Sequence, residues 1–93
     1  AQVIWDSQSQ IGTLLVEGMP NLDAGEQYQM WLVSEHTTVS AGTFSVDDAG
    51  TGVLVFRSPE PLQQFDVIGV SVEPNAGSEA PTTPHLVTGE IDT

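Results

Sequence analysis

The 93-residue sequence has no cysteine and only one basic residue, Arg57. Small secreted domains often rely on disulfides but need not, so this absence says little about the compartment. Thirteen acidic residues oppose the single arginine, and the formal net charge is -12. A surface of this sign repels phosphate backbones and anionic lipid headgroups, which disfavours nucleic-acid binding and direct membrane docking.

The sequence also lacks long hydrophobic runs and helical periodicity. No apolar stretch approaches the roughly 18 residues of a membrane-spanning helix, and no signal peptide is recognised. Ser58 and Pro59 suit the start of a helix, so at most one short helical turn is predicted near residues 59–65. The length, with no internal repeat, predicts a single domain over residues 1–93. An apolar content of 39% separates the chain from disordered sequences.

What the sequence does contain is short apolar segments separated by turn residues. This pattern predicts an all-β fold, a small antiparallel β-sandwich of about seven short strands that is Ig-like. The predicted strands cover residues 1–5, 11–17, 27–34, 39–46, 51–57, 66–73 and 85–88. The turn signal at 47–50 predicts that the fourth and fifth strands form a β-hairpin.

Two predicted strands have faces that can be assigned from alternation. In residues 27–34, Tyr28, Met30 and Leu32 share one face, and Trp31 and Val33 share the other. A strand that is apolar on both faces is a central one, so Trp31 is assigned to the core. In residues 66–73 the pattern places Ile68, Val70 and Val72 inward. It places the alternate residues Gly69, Ser71 and Glu73 outward.

The residues Ser34, Glu35 and His36 contain the elements of a nucleophilic triad. The chemistry needs a base within hydrogen-bond reach of the hydroxyl and a third group that orients the base. Neighbours at the end of one strand do not supply that arrangement, and no Gly-x-Ser-x-Gly elbow is present. A turn that ends the strand is the favoured interpretation. No catalytic residue is assigned, and the chain is predicted not to be an enzyme.

Metal and cofactor sites are equally poorly supported. His36 and His85 are the only imidazoles, and neither has the spacing of a zinc site. Residues 47–52 resemble a calcium loop faintly, but two acidic residues and a strand do not provide the alternating oxygen ligands of an EF-hand. We assign no metal ligand and no cofactor-binding residue.

The tryptophans leave one alternative function open. Aromatic side chains line many sugar-binding faces, and Trp5 with nearby acidic residues is a candidate for such a face. A secreted ligand- or carbohydrate-binding β-sandwich is therefore the alternative interpretation.

The segment VSVEPNAGSEAPTTPHLVTG, residues 70–89, begins as a strand and breaks into a polar run rich in proline and glycine. Pro74 lacks the N–H that a strand ladder needs, so the strand ends there. Residues 75–77 turn the chain, and residues 80–84 run extended because residues before proline favour extended conformations. A connection between strands is favoured over a catalytic loop, and its extended edge is a candidate peptide-docking surface.

Three segments, in order, resemble the C-terminal extracytoplasmic domain of the anti-sigma-K factor family. Residues 18–33, GMPNLDAGEQYQMWLV, are similar to that family's LP-x-L-x-AG-x-x-YQ-L-W-L segment. Residues 39–50 are similar to its next hairpin, and residues 70–84 to its V-T-V-E-P-x-G-G-S-x-x-P-T-x-P pattern. The chain departs from the family at Ala76, in the usual Gly-Gly pair, at Thr83 and at His85.

The resemblance implies a regulatory role for these residues. It implies a protein built from a cytoplasmic anti-sigma segment, one membrane-spanning helix and this domain on the periplasmic, extracytoplasmic side. Regulated proteolysis would release the sigma factor, which is held only by the cytoplasmic segment. The implied partners are proteins, namely a periplasmic regulator or a site protease. The oligomeric state is left open.

Overall fold

The computed structural model describes residues 2–6, 10–35, 37–58, 65–82 and 87–90. The described backbone forms seven β-strands, which confirms the predicted all-β class. The strands are β1 (Gln2–Asp6), β2 (Ile11–Val16), β3 (Glu26–Val33), β4 (Thr38–Phe44), β5 (Gly52–Arg57), β6 (Val67–Pro74) and β7 (Val87–Glu90). No helix long and apolar enough to span a bilayer occurs among these described residues.

The strands form two antiparallel sheets. One sheet has three strands in the order β1-β2-β5, and the other has four in the order β4-β3-β6-β7. Two such sheets packed face to face make the predicted Ig-like sandwich. In constant-type Ig domains the fourth strand joins the first, second and fifth. Here β4 lies instead in the sheet of β3 and β6.

The core lies between the inner faces of the two sheets. Alternation along each strand turns every second side chain inward. From β2 and β5 come Leu14, Val16 and Phe56, and β3 and β6 supply the facing layer. The buried residues of that layer include Tyr28, Met30, Leu32, Ile68 and Val70, as the alternation predicted.

The predicted hairpin of β4 and β5 is wrong. The turn itself forms, since the Gly50 amide donates to the Asp47 carbonyl at 2.9 Å. However, β4 pairs only with β3 and β5 only with β2, so residues 45–51 carry the chain from one sheet to the other. A hydrogen bond from the Met19 amide to the Gly50 carbonyl, at 3.1 Å, ties the start of β5 to the end of β2. Pairing with β2 then proceeds over all six residues of β5.

The central strand β3 contains an irregularity next to Trp31. Its register with β4 shifts between Met30 and Trp31, where Met30 pairs with Gly42 and Trp31 pairs with Ser40. Two residues of β3 thus span three of β4, which is a β-bulge. Gly42 has a φ of 132°, a backbone conformation that favours glycine at such a position.

The ends of the chain fit the predictions in part. Strand β7 covers Val87–Glu90, which confirms residues 87 and 88 of the predicted last strand, whereas residues 85 and 86 lie outside the described residues. The predicted helical turn near 59–65 lies outside the described residues except for Phe65, which is buried in the core.

Candidate functional site

A network of polar side chains covers the outer face of the four-stranded sheet. The outward residues of β6 are Gly69, Ser71 and Glu73, and they pair across the ladder with Trp31, Gln29 and Gln27 of β3. An outer sheet face normally meets water, yet Trp31 and Ser71 have no exposed surface and Glu73 is 1% exposed. Something other than the opposite sheet must therefore bury them.

The segment that follows β6, residues 75–82, covers Glu73 and Gln29 through hydrogen bonds from Ser78 and Thr82, and we call it the strap. Two backbone hydrogen bonds form at its start. The Asn75 amide donates to the Gly25 carbonyl at 2.9 Å, and the Gly77 amide donates to the Pro74 carbonyl at 2.8 Å. Gly77 adopts a φ of 81° in the turn that the sequence predicted at residues 75–77. A side chain at Gly77 would lie in ordinary contact with Thr43 of β4.

Glu73 holds the strap from below. Its carboxylate accepts hydrogen bonds from the Ser71 hydroxyl at 2.6 Å and from the Ser78 hydroxyl at 2.9 Å. It also accepts the hydroxyl of Thr82 and, at 3.0 Å, the backbone amide of that residue. A buried carboxylate costs free energy unless its oxygens are hydrogen-bonded, and these donors meet that requirement.

Gln29 holds the strap at a second point. Its side-chain amide donates to the Ser78 carbonyl at 3.0 Å and accepts from the Ser78 amide at 2.9 Å. The pair imitates the two bonds that neighbouring strands exchange. The same amide nitrogen donates to the Ser40 hydroxyl of β4 at 2.6 Å. The strap is thus hydrogen-bonded to side chains of β3 and β6, and Gln29 also links β3 to β4.

Trp31 completes the network from the sheet. Its indole N–H donates to the Ser71 hydroxyl at 2.8 Å, and that hydroxyl in turn donates to Glu73. Trp31 was predicted to be core, and it is fully buried. It lies, however, on the face opposite Met30 and Leu32, away from the core that the two sheets share. Its burial and its place on the face opposite Met30 and Leu32 were both predicted from the alternation.

The hydrogen bonds to Glu73 change its acidity. Burial by itself raises the pKa of this carboxyl, but the bonds from Ser71, Thr82 and Ser78 outweigh burial and lower the pKa from 4.5 to about 2. The ionised form is the form that accepts these bonds. The network therefore requires Glu73 to be charged.

This pKa predicts a pH dependence of stability. Because the folded-state pKa lies below the unfolded value, the contribution of Glu73 is fully present above pH 4.5 and is lost as the pH falls toward 2. The difference corresponds to roughly 3 kcal/mol. Urea unfolding of the wild type and of Glu73→Gln should show a stability gap at pH 7 that narrows steadily below pH 4.5. A gap that stays constant down to pH 2.5 would contradict the role given to the charge.

The candidate triad is not assembled by the described residues. The Ser34 amide and hydroxyl both contact the Thr37 carbonyl, the amide at 2.8 Å, in a turn that ends β3. His36 lies outside the described residues, as does His85. The favoured interpretation of this segment as a turn agrees with these bonds.

The faint calcium loop is a turn closed by its own aspartate. One carboxylate oxygen of Asp47 accepts the amides of Ala49 at 2.9 Å and Thr51 at 3.0 Å. Within the described ranges, no group of three or more His, Cys, Asp or Glu side chains is placed to hold a metal ion.

A small depression lies beside Tyr28, lined also by Asn21, Leu22, Ser45 and Val46. Its volume is about 90 Å³, whereas pockets for drug-sized ligands typically measure about 300–1,000 Å³. For the carbohydrate alternative, Trp31 has no surface to offer a ligand. The side chain of Trp5 lies outside what the structure describes.

The network was missed by sequence reasoning, although its residues were in view. Gln29 and Trp31 lie in the YQ-x-W part of the resembling segment, and Glu73, Ser78 and Thr82 lie in the V-x-V-E-P pattern and its continuation. Ser71 stands where the family pattern has threonine, and both residues carry a hydroxyl. The sequence patterns that carry the resemblance therefore include the residues that bind the strap to the sheet.

Fold and site together define a small β-sandwich module whose buried polar residues attach a loop to a sheet. The chain belongs to the anti-sigma-K factor RskA C-terminal family, whose model matches residues 1–91. It is 36% identical over 87 residues to an anti-sigma-K factor RskA of Mycolicibacterium vanbaalenii, an alignment that covers 90% of this chain and 34% of the relative. A second relative with the same description, from Mycobacterium sp. strain KMS, is 30% identical over 84 residues with the same coverage.

The chain thus spans about a third of the length of the curated relatives it matches. No solved structure matches it significantly.

Proposed function

We propose that this chain is the extracytoplasmic regulatory domain of a membrane-bound anti-sigma factor and acts by protein contact and by controlling proteolysis. The observation that carries the proposal is the family match over residues 1–91, to relatives described as anti-sigma-K factors. In this proposal the sigma factor is held by a cytoplasmic segment outside these residues. A single membrane-spanning helix joins that segment to the domain.

The strap supports a role in controlling proteolysis. Proteases cleave exposed, extended backbone that can leave its hydrogen bonds. The strap lies outside the strands and most of its residues are exposed, but Ser78 and Thr82 are hydrogen-bonded to Gln29 and Glu73. In the folded domain these hydrogen bonds hold the strap and hinder its entry into a protease active site. Loss of the Glu73 network would free the strap for cleavage.

The surface charge supports protein partners of a particular kind. A net charge of -12 attracts basic surfaces and repels acidic ones. A periplasmic regulator or site protease with a basic contact surface fits this requirement. The carbohydrate-binding alternative gains no support from the described side chains, because Trp31 has no exposed surface.

The gene provides the first test. The reading frame upstream of Ala1 is expected to encode an apolar helix of about 20 residues preceded by a cytoplasmic segment. A sigma-factor gene is expected beside it. A reading frame that lacks the helix would overturn the membrane-bound assignment.

The second test uses the full-length protein in its host. Glu73→Ala is expected to increase its cleavage on an immunoblot and to raise expression from a sigma-dependent reporter several-fold, because the strap is released. Glu79→Ala is the matched control, since Glu79 is an exposed strap residue outside the network. If cleavage is unchanged although the isolated variant domain is unfolded, the domain does not control proteolysis.

A further inference from the structure

The outer face of the three-stranded sheet has the opposite character to the strap-covered face. Its nine outward residues lie in three rows across the strands: Gln2, Leu15 and Val53; Ile4, Thr13 and Val55; and Asp6, Ile11 and Arg57. Five of these nine are apolar. Ile4 is 60% exposed, Val53 55% and Val55 64%. We call this surface the apolar face.

The apolar face also carries little of the chain's acidic charge. By the alternation of its strands it holds one of the thirteen acidic residues, Asp6, and the only basic residue, Arg57. Its formal charge is therefore zero on a chain of net charge -12. Contiguous exposed apolar surface with a polar rim marks contact surfaces in soluble domains.

We propose that the apolar face is the interface with a second copy of this chain. The positions of Asp6 and Arg57 argue for this occupant. They lie in one row, on the two edge strands β1 and β5, with Ile11 of β2 between them. A two-fold axis parallel to β2 exchanges the edges, so that β1 of one copy lies over β5 of the other.

This rotation makes the face complementary to itself. Asp6 of each copy meets Arg57 of the other, which gives two opposite-charge pairs at one end of the interface. In the middle row Ile4 meets Val55, and Thr13 lies on the axis and faces its own counterpart. The rotation thus matches opposite charges in one row and apolar residues in the middle row, and in the remaining row it places Gln2 against Val53 with Leu15 on the axis.

The size of the face sets the expected strength. Three strands about 4.8 Å apart and about 17–20 Å long offer far less than the roughly 800 Å² per partner of a standard interface. Each copy also carries a net charge of -12, which opposes association. The dimer is therefore expected to be weak, with a dissociation constant on the order of hundreds of micromolar.

Sedimentation equilibrium of the 93-residue chain over a concentration series, at 0.15 M salt, tests the proposal. Val55→Glu is expected to weaken self-association at least about tenfold, because it buries a charge at the centre of the face. Thr38→Glu is the matched control, since it places the same charge on an exposed position of β4 in the other sheet. Circular dichroism confirms that each variant is folded.

A charge exchange tests the geometry. Asp6→Arg and Arg57→Asp each place like charges opposite one another and should weaken the dimer, whereas the double variant should regain the wild-type association. A chain that stays monomeric up to 1 mM overturns the proposal and leaves the face to a different protein. If the chain dimerises but Val55→Glu does not weaken the dimer, the apolar face is not the interface. The same conclusion follows if the double exchange fails to restore association.

Discussion

Glu73→Ala is expected to lower the free energy of unfolding by about 3–4 kcal/mol, among the largest effects of any single substitution in the chain. The substitution removes the acceptor for the hydroxyls of Ser71, Ser78 and Thr82 and for the Thr82 amide. Donors that remain buried without an acceptor cost about 1–3 kcal/mol each, and water that enters under the loosened strap recovers part of that cost. Urea unfolding at pH 7, followed by tryptophan fluorescence, measures the loss.

Glu79→Ala provides the comparison for this effect. Glu79 lies in the same strap as the network but is exposed, and its replacement by alanine removes the same charge as Glu73→Ala. A change within about 0.5 kcal/mol is expected for such a surface substitution. Equal losses for the two variants would mean that net charge, and not the hydrogen-bond network, produces the effect.

Gly50→Ala is expected to be comparably damaging, by about 3–4 kcal/mol. Gly50 has a φ of 81°, and a Cβ there would lie 2.6 Å from the Met19 carbonyl oxygen and 2.7 Å from the Met19 nitrogen. Both atoms belong to the backbone, so relief requires the connection between β2 and β5 to shift. Thermal or urea unfolding of the variant measures the cost.

Gly25→Ala separates the steric effect from the conformational one. Gly25 also has a positive φ, 94°, but a Cβ there meets nothing within 4 Å. Its alanine variant should lose only the cost of a left-handed conformation, about 1–2 kcal/mol. If both alanine variants lose the same free energy of unfolding, the close approach of residue 50 to the Met19 backbone adds no steric cost.

The alternation of apolar and polar residues was sufficient to locate the strands and to assign the faces of β3 and β6. It was not sufficient to assign strands to sheets. Residues 47–50 form a turn whether the flanking strands pair or part, because the Asp47 side chain closes the turn locally. The separation of β4 from β5 depends on the contact between Met19 and Gly50, which joins residues 31 positions apart and leaves no local pattern.

The site was harder to predict than the fold for a related reason. The alternation predicts that Glu73 points outward from the sheet, and it does. Its burial comes from residues 78 and 82, which fold back over it after a turn. Alternation describes which side of a sheet a residue occupies, not what else covers that side. Gln29 and Ser78 are 49 residues apart, so their bonds also have no local signal.

In the membrane-bound arrangement proposed above, in which a helix upstream tethers the domain, the position of β1 has a mechanical consequence. Among the described strands, β1 lies at a sheet edge and pairs with β2, through five residue pairs. Any load carried by the tether enters at Gln2 and reaches β1 before the rest of the sandwich. A pull across the strand breaks its bonds one after another, whereas a pull along it loads all of them together. The direction of the force, as much as its size, therefore determines whether β1 detaches first.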